Sequence, residues 1–250
     1  MNNRKALVTG STSGIGYAIA GKFLEEGAQV ITTGRSAKGP VFDQVDPNKS
    51  HYLSADLKDF SNIDNLLKFT FNKFSGPPDI AVINAGIGLA GTLLTSDWTK
   101  WNELFDLNCK STFYQLKIIA AAMLKCHDTD EAYKKKQKDI VILSSIVGRN
   151  ISEANPVYGA TKFALTSAAE SLRKEICHTS IRVTVIEPGF VRSNFQERAG
   201  YDLAAFQDLE EKFGPFLTPE DIASQVLFVV QQPKHINISN LIIRPSRQKP

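Results

Sequence analysis

Short apolar, β-branched runs alternate with longer amphipathic stretches along the whole of this 250-residue sequence. The runs typical of strands are residues 5–9, 29–33, 51–55, 80–84, 140–144, 182–187 and 238–243. The stretches typical of helices are residues 15–26, 63–74, 97–125, 156–176 and 219–231. Because strands that alternate with helices pair in parallel and are covered on both faces, the pattern predicts an α/β fold with a doubly wound parallel β-sheet.

Two segments depart from this alternation. Gly39, Pro40 and Pro47 break the helical period between residues 35 and 51, so we expect an irregular connection there. Residues 127–138 are polar and charged without an apolar stripe, which predicts either a helix that extends into solvent or a loop.

Composition bounds the class of protein. With 42% hydrophobic and 22% charged residues, a chain of this length fits a single domain over residues 1–250 with a substantial core. A net charge of +3 is too small to argue for a nucleic-acid partner, and no run of about 20 apolar residues predicts a membrane partner. Three cysteines and four histidines are scattered, which disfavours a disulfide framework and a metal site. The N-terminus leads directly into the first strand instead of a cleaved signal, so we expect a cytoplasmic location.

A glycine-rich loop, Thr9 to Gly16, joins the first strand to the first helix. Such a loop brings backbone N–H groups and the positive end of the helix dipole to a pyrophosphate, and its glycines permit close approach. The sequence therefore predicts a dinucleotide site. The loop residues that we expect to contact the cofactor are Gly10, Ser11, Ser13, Gly14, Ile15 and Gly16.

The end of the second strand bears on which dinucleotide binds. An acidic residue about 20 positions past the loop would bind the ribose 2′-hydroxyl of NAD. Here Thr33 and Gly34 are followed by Arg35, whose guanidinium suits a 2′-phosphate. The sequence therefore favours NADP(H) over NAD(H), with the alternative that Arg35 stacks on the adenine or points to solvent.

Tyr158 and Lys162 stand four residues apart on a predicted helix and thus share one face. Lowering a phenol's pKa from about 10 to about 7 requires roughly 4 kcal/mol of preferential stabilisation of the phenolate, which a lysine and a cationic nicotinamide can supply. Ser145 lies thirteen residues before Tyr158. These residues predict an acid–base site.

Taken in order, the motifs resemble the classical short-chain dehydrogenase/reductase family, and the resemblance weakens after about residue 232. The matching segments are the TGxxxGxG loop at Thr9–Gly16, the NAG segment at Asn84-Ala85-Gly86, the catalytic serine at Ser145, the YxxxK pair at Tyr158 and Lys162, and the start of the cofactor-closing loop at Pro188-Gly189. The resemblance implies a Rossmann-like fold and an oxidoreductase that interconverts a carbonyl and a secondary alcohol.

The resemblance also implies a catalytic tetrad. Tyr158 would be the general acid–base, Ser145 would orient the substrate oxygen, and Lys162 would bind the nicotinamide ribose and lower the phenol's pKa. Asn108 falls at the family's fourth catalytic position, where it would anchor a water that links Lys162 to solvent. Each residue taken singly has an ordinary structural interpretation, and the ordered set favours the tetrad.

Further cofactor contacts follow from the same resemblance. Those on the adenosine side are Asp56, Leu57, Asn84, Ala85 and Gly86, and those on the nicotinamide side are Pro188, Gly189, Val191 and Ser193, besides Tyr158 and Lys162. Asp56 has the alternative of a turn or helix-start aspartate. Ser193 replaces the family's threonine and keeps the hydroxyl.

Residues 190–217 fall where the family places its substrate lid. The segment carries the aromatic residues Phe195, Tyr201, Phe206, Phe213 and Phe216. An aromatic lid predicts a partly apolar small-molecule substrate and exclusion of water. The alternative is that these aromatics pack an amphipathic helix on the sheet.

The polar residues expected near the pocket rim, Arg149, Asn150, Asn155 and Arg192, make a carboxylate-bearing substrate conceivable. The chain lacks the glycine-rich ending typical of acyl-carrier-protein-linked ketoacyl reductases, which favours 3-hydroxy acids, 3-oxo acids and related small alcohols. A competing hypothesis is a catalytically silent dinucleotide-binding redox sensor or scaffold, against which the intact tetrad counts.

We expect the helices that begin near Asp97 and Pro156 to expose apolar faces, which in relatives pack subunits together; their residues are Leu104, Phe113, Leu165 and Leu172. We therefore expect a homotetramer or a homodimer.

Overall fold

The computed structural model describes residues 1, 3–43 and 45–249. Its strands are β1 (Lys5–Val8), β2 (Gln29–Gly34), β3 (Ser50–Ser54), β4 (Ile80–Ile83), β5 (Lys138–Leu143), β6 (Ile181–Pro188) and β7 (Asn240–Ile243). They form one parallel sheet in the order β3-β2-β1-β4-β5-β6-β7. Each predicted strand is present within two residues at either end, so the doubly wound Rossmann-like fold is confirmed.

The helices are α1 (Gly14–Glu25), α2 (Phe60–Phe74), α3 (Trp101–Phe105), α4 (Thr112–Thr129), α5 (Glu131–Lys135), α6 (Pro156–Ile176), α7 (Phe195–Arg198), α8 (Leu203–Phe213) and α9 (Pro219–Gln231). α1 and α9 cover one face of the sheet, where Phe23 and Val226 are fully buried. α2, α4 and α6 cover the other face, where Ile63 and Ile119 are fully buried. Burial on both faces explains the continuous apolar runs in the central strands β1, β4 and β5.

The long helix predicted over residues 97–125 is interrupted. A 3₁₀ turn at Trp98–Lys100 precedes α3, and a π-helical turn at Asp106–Ser111 separates α3 from α4. The side chain of Asn108 within this turn exchanges two hydrogen bonds with the backbone of Ile87, each 2.9 Å long. Such π-turns are common at functional sites.

The two irregular segments behave as expected in part. Between residues 35 and 51 the described residues hold one 3₁₀ turn, Pro47–Lys49, and Gln44 lies outside the described residues. In the segment 127–138, α4 continues to Thr129, and α5 begins after Asp130, whose side chain accepts hydrogen bonds from two backbone amides of α5.

The prediction that the helices beginning near Asp97 and Pro156 expose apolar residues is wrong for Leu104 and Leu165. Leu104 is 1% exposed and Leu165 is 2% exposed. Leu165 lies seven residues after Tyr158, two turns along the same face of α6, and that face is turned toward the sheet. Leu104 packs beside Tyr158. Phe113 remains 39% exposed.

Within the ranges described above, no helix combines the length and apolar character needed to cross a bilayer. In the same residues no group of three or more His, Cys, Asp and Glu side chains is arranged to hold a metal ion. Of the cysteines, Cys109 is buried, Cys126 is half-buried and Cys177 is exposed.

Candidate active site

The predicted site residues meet at the carboxyl edge of the sheet. The glycine-rich loop follows β1, the Asn84-Ala85-Gly86 segment follows β4, Ser145 follows β5, and Gly189 follows β6. Open α/β sheets bind ligands at this edge, where the strand order reverses on either side of β1 and β4. Tyr158 and Lys162 reach the same edge from the first turns of α6.

Backbone geometry requires glycine at two positions of the loop. Gly10 has a φ of +64°, in the left-handed region that side chains rarely adopt. A Cβ added to Gly16 would lie 2.4 Å from the carbonyl oxygen of Gly10, a clash between backbone groups that cannot be relieved by a rotamer change. The glycines therefore allow a tight turn and close backbone packing in the loop, which forms the cradle that the pyrophosphate of a dinucleotide requires.

Asn84 braces this cradle from β4. Its Nδ2 donates to the carbonyl oxygens of Thr9, at 2.8 Å, and Gly10, at 3.1 Å. The hydroxyl of Thr9 accepts from the backbone amides of Asn84 and Ala85, at 3.0 and 3.1 Å. The side chain of Asn84 thus bonds to the loop, and the next residue but one, Gly86, lies against Asn108.

Three other predicted contacts have buried side chains. Ser11 is fully buried, and its hydroxyl donates to the carbonyl of Val8 and accepts from the amide of Thr33. Leu57 and Val191 are 4% and 6% exposed and belong to the apolar cores. These side chains support the edge of the sheet, so any contact they make with a ligand would come through the backbone.

Ser13 and Ile15 begin α1. Ser13 occupies the N-cap position without a side-chain cap, and its Oγ accepts a 3.5 Å hydrogen bond from Arg198 of α7. Ile15 is half-buried against the core. Ser193, on the segment before α7, faces Gly14, since a Cβ on Gly14 would lie 4.0 Å from the Cβ of Ser193.

Arg35 and Asp56 lie at the ends of β2 and β3. The side chain of Arg35 is exposed directly after Gly34. Asp56 accepts from the backbone amide of Lys58 at 3.1 Å, which is the turn role that the sequence left open. The pKa of Lys58 is raised, first by its hydrogen bond to Glu103, and the charge of Arg35 opposes that shift. Arg35 and Lys58 are therefore neighbouring cations.

The tetrad residues come together under α7. Tyr158 and Lys162 are 7% and 6% exposed, and the ammonium of Lys162 lies 5.6 Å from the centre of the Tyr158 ring. Lys162 also donates to the carbonyl of Leu143 at 2.8 Å. The hydroxyl of Ser145 bonds to the carbonyl of Pro188 at 3.4 Å. Sequence reasoning missed Leu143, since a backbone acceptor leaves no signature in residue type.

Burial shifts the two titratable groups in opposite senses. Desolvation raises the pKa of Tyr158 above its usual value, the Tyr201 phenol acts in the same direction, and a hydrogen bond with Ser145 opposes both. Desolvation lowers the pKa of Lys162 to about 8. Both shifts follow from the cost of holding charge in a dry cleft. The lowering of the phenol's pKa that we expect from Lys162 does not occur in this structure, where among the described residues only the hydrogen bond with Ser145 opposes the rise in pKa.

Asn108 links the segment after β4 to α6. Besides its two bonds to Ile87, its Nδ2 donates to the hydroxyl of Thr161 at 3.1 Å. The Thr161 hydroxyl in turn donates to the carbonyl of Tyr158 at 2.7 Å. Asn108 is 1% exposed. Thr161 is a second supporting residue that the sequence did not reveal, because a threonine in a helix has many ordinary uses.

Two arginines considered for a substrate carboxylate are already paired. Nε of Arg149 donates to Glu187, a fully buried carboxylate, at 2.5 Å. Arg192 lies 2.6 Å from Glu210 of α8. Asn150 donates to the carbonyl of Ile146 at 3.1 Å. Both arginines therefore already bind a carboxylate of this chain that is distant in sequence, which weakens the case for a substrate carboxylate at these two positions.

The lid segment packs directly over the tetrad. The ring of Phe195 lies 5.7 Å from that of Tyr158, centre to centre. A Cβ on Gly88 would lie 2.6 Å from Phe195 and 2.7 Å from Ala199, so this backbone approach needs glycine. The amide of Ala90 donates to the carbonyl of Ala199 at 3.0 Å. These contacts hold α7 against the β4 side of the site.

The aromatic residues of this segment divide between two roles. Phe195 and Tyr201 face the tetrad, and Asn155 donates to the Tyr201 hydroxyl at 2.5 Å. Phe206 and Phe216 instead form a cluster with Phe190, with ring centres 4.9–5.9 Å apart. The cluster therefore packs within its own segment, and a lid role stays a prediction for Phe195 and Tyr201.

Comparisons with known proteins agree with this geometry. Residues 4–203 match the family model described as short chain dehydrogenase. An uncharacterized oxidoreductase of Staphylococcus epidermidis is 32% identical over 247 residues, with 98% of both chains covered.

Two solved structures resemble the fold over nearly its whole length. The closed form of serine dehydrogenase complexed with NADP+ has a TM-score of 0.85 and 28% identity, covering 98% of this chain and 96% of that one. A 3-ketoacyl-(acyl-carrier-protein) reductase from Brucella melitensis complexed with NADH has a TM-score of 0.85 and 22% identity, covering 98% of both chains. At that identity the second likeness concerns the fold only.

Proposed function

We propose that this chain, which belongs to the short-chain dehydrogenase/reductase family, is an NADP(H)-dependent oxidoreductase that interconverts a carbonyl and a secondary alcohol. The observation that carries the proposal is the convergence of Ser145 and Lys162 on the buried phenol of Tyr158, beside a glycine cradle. A proton-transfer group next to a dinucleotide site is what such a reaction requires.

The residues present fit a dinucleotide. Glycine at positions 10 and 16 lets the loop pack tightly on itself and on Ala85, Gly14 leaves space beside the loop, and Lys162 offers donors to the ribose hydroxyls of a nicotinamide. When bound, NADPH supplies the hydride that adds to the carbonyl carbon. Tyr158 gives its proton to the carbonyl oxygen, so that hydride and proton together form the alcohol. Ser145 donates a hydrogen bond to the same oxygen and orients it.

The proposed reaction also assigns a role to Lys162, to Asn108 and to α7. Lys162, with its pKa of about 8, remains mostly protonated near pH 7 and stabilises the phenolate that forms as Tyr158 loses its proton. Asn108 holds the segment after β4 against α6 through Ile87 and Thr161. α7 covers the phenol and excludes water, which strengthens these electrostatic interactions.

The substrate class that we favour is a 3-hydroxy acid, a 3-oxo acid or a related small alcohol. Its support is the likeness to serine dehydrogenase, at 28% identity over nearly the whole chain. The pairing of Arg149 with Glu187 and of Arg192 with Glu210 weakens the case for a carboxylate held at those two positions. The related small alcohols are therefore the better supported part of this class.

The preference for NADP(H) rests on Arg35, and its test combines turnover with mutation. We expect reduction of a panel of ketones, aldehydes and 3-oxo acids to proceed with NADPH. Replacing Arg35 with Ala removes a charged hydrogen-bond donor to the 2′-phosphate. The ratio of kcat/KM for NADPH over NADH should then fall about 10- to 100-fold.

Lys38→Ala is the matched control, because Lys38 is an exposed cation three residues further along and should leave the ratio unchanged. An unchanged ratio in Arg35→Ala would contradict the assignment of Arg35. NADPH binding without turnover of any carbonyl would favour the sensor hypothesis instead.

We also infer assembly into a homodimer or homotetramer through the outer face of α4 and α6. Phe113, 39% exposed, and Leu172 line one shallow cleft between these helices. Covering an exposed apolar cleft of this kind favours association of copies. Light scattering at micromolar concentration should give a mass that is a multiple of 27.6 kDa, and a monomer mass would argue against this assembly.

A further inference from the structure

Asn155 stands at the start of α6 but does not cap it. Its backbone carbonyl accepts from the amide of Gly159 at 2.9 Å, as an N-cap residue should. Its side chain makes no capping hydrogen bond. Asparagine at this position ordinarily caps the helix with its own oxygen, so another interaction has drawn the amide of Asn155 away.

That interaction is with the lid segment. Nδ2 of Asn155 donates to the hydroxyl of Tyr201 at 2.5 Å. Oδ1 of Asn155 is fully buried and has no hydrogen-bond partner among the described residues. A buried carbonyl-type oxygen without a donor is costly, and such groups in folded proteins call for a specific explanation.

Asn155 is connected to the acid–base residue through Tyr201. Asn155 is the N-cap residue of α6, and Tyr158 follows it by three residues in the first turn of that helix. The Tyr201 phenol, bonded to Asn155, is near enough to Tyr158 to raise its pKa. The amide of Asn155 and the phenols of Tyr158 and Tyr201 therefore form one polar group under the lid.

We propose that Oδ1 of Asn155 is a substrate-binding acceptor that takes a hydrogen bond from a hydroxyl or ammonium group of the substrate near its reacting carbon. This inference rests on the proposed function and narrows its substrate class to alcohols that carry a second hydrogen-bond donor, such as diols and amino alcohols. Without such a donor, the buried oxygen of Asn155 has no hydrogen-bond partner among the described residues. A site built around a hydrogen bond rejects analogues that lack the donor, because its polar group is then left unpaired.

The test compares substrates that differ in this donor. With NADP+, we expect kcat/KM for butane-2,3-diol to exceed that for butan-2-ol and for 3-methoxybutan-2-ol by at least about tenfold. The methyl ether keeps the second oxygen and loses only the donor. 3-Aminobutan-2-ol replaces the hydroxyl donor with an ammonium, so its rate relative to the diol distinguishes the two donor types.

Two variants test whether Asn155 causes the preference for alcohols that carry a second hydrogen-bond donor. In Asn155→Ala the ratio of diol to butan-2-ol should fall to about one, while the affinity for NADP+ stays at the wild-type value. In Asn155→Asp an acceptor oxygen remains, and the preference for donor-bearing alcohols should remain with it. Since the side chain does not cap α6, neither change removes a helix cap, and circular dichroism checks the fold of both.

Equal kcat/KM for the diol and butan-2-ol in the wild type would overturn the inference, and so would a preference that persists in Asn155→Ala. Either result leaves the proposed function standing, because turnover is still observed. Absence of turnover with every alcohol and carbonyl tested would overturn the proposed function and this inference with it.

Discussion

Replacing Tyr158 with Phe should lower kcat for carbonyl reduction by about 10²- to 10⁴-fold. The substitution keeps the ring that packs between Leu104, Val157 and Phe195 and removes only the hydroxyl. The proton donor is lost, while the glycine cradle is untouched, so NADPH should bind with unchanged affinity. Steady-state kinetics and titration of NADPH fluorescence measure the two quantities separately.

Tyr201→Phe is the matched control for this change. It removes another buried phenol beside the first, and its loss in kcat should be much smaller because that hydroxyl transfers no proton in the proposed reaction. Tyr158→Phe with more than half of the wild-type kcat would show that the proton comes from elsewhere. A wild-type protein that binds NADPH without any turnover would support the sensor hypothesis instead.

The sequence predicts the sheet well because burial on both faces imposes a strong local pattern. Strand β4 is a continuous apolar run, and its four residues between turn residues are too few for a helix. The glycine-rich loop is predicted equally well from the sequence, since positions such as Gly10 and Gly16 admit no other residue without strain or collision.

The sequence does not predict the π-helical turn at Asp106–Ser111. A single extra residue in a helical turn changes which side chains face inward without changing the residue types present. The period over residues 97–125 therefore predicts one helix, and it misses that Leu104 turns toward Tyr158. Asn108 is identified by resemblance, yet its bonds to Ile87 and Thr161 depend on that turn.

The charges near the site illustrate a second limit of prediction from the sequence. Arg149 is expected near the pocket rim from the sequence, but its partner Glu187 lies 38 residues further along the chain and is fully buried at the end of β6. A pairing of this kind depends on the order of strands and on the loop after β5. Residue types and spacing give no information about it, so the electrostatics of the rim could be obtained only from the fold.

Burial links catalysis to stability at this site. The same dry cleft that favours a neutral phenol at Tyr158 disfavours the ammonium of Lys162. The charge is retained at neutral pH because the lowered pKa is still about 8, and the carbonyl of Leu143 accepts a hydrogen bond from the ammonium at 2.8 Å. The protein thus keeps a cation where it is needed by the proposed reaction, at a cost to the folded state.

That cost predicts a pH dependence of stability. The pKa of Lys162 is lowered from 10.5 to about 8 in the folded chain. Below pH 8 both states hold the proton and the destabilisation is fully present. Above pH 8 the folded chain releases the proton while the unfolded chain keeps it until about pH 10.5. The lysine therefore contributes a rise in the free energy of unfolding of up to about 1.4 kcal/mol per pH unit between about pH 8 and 10.

Lys162→Met removes the titrating group. The free energy of unfolding of this variant should therefore lack the increase that Lys162 contributes between about pH 8 and 10. The window ends near pH 10, because the raised pKa of Tyr158 makes stability fall again once the unfolded phenol ionises. Urea unfolding at intervals from pH 7 to pH 10 measures the slopes. Lys174→Met, at a 70% exposed position on the same helix, is the control and should keep the wild-type slope. Equal slopes in the wild type and Lys162→Met would mean that the ammonium is not buried at this site, and the electrostatic basis proposed for Tyr158 would fail with it.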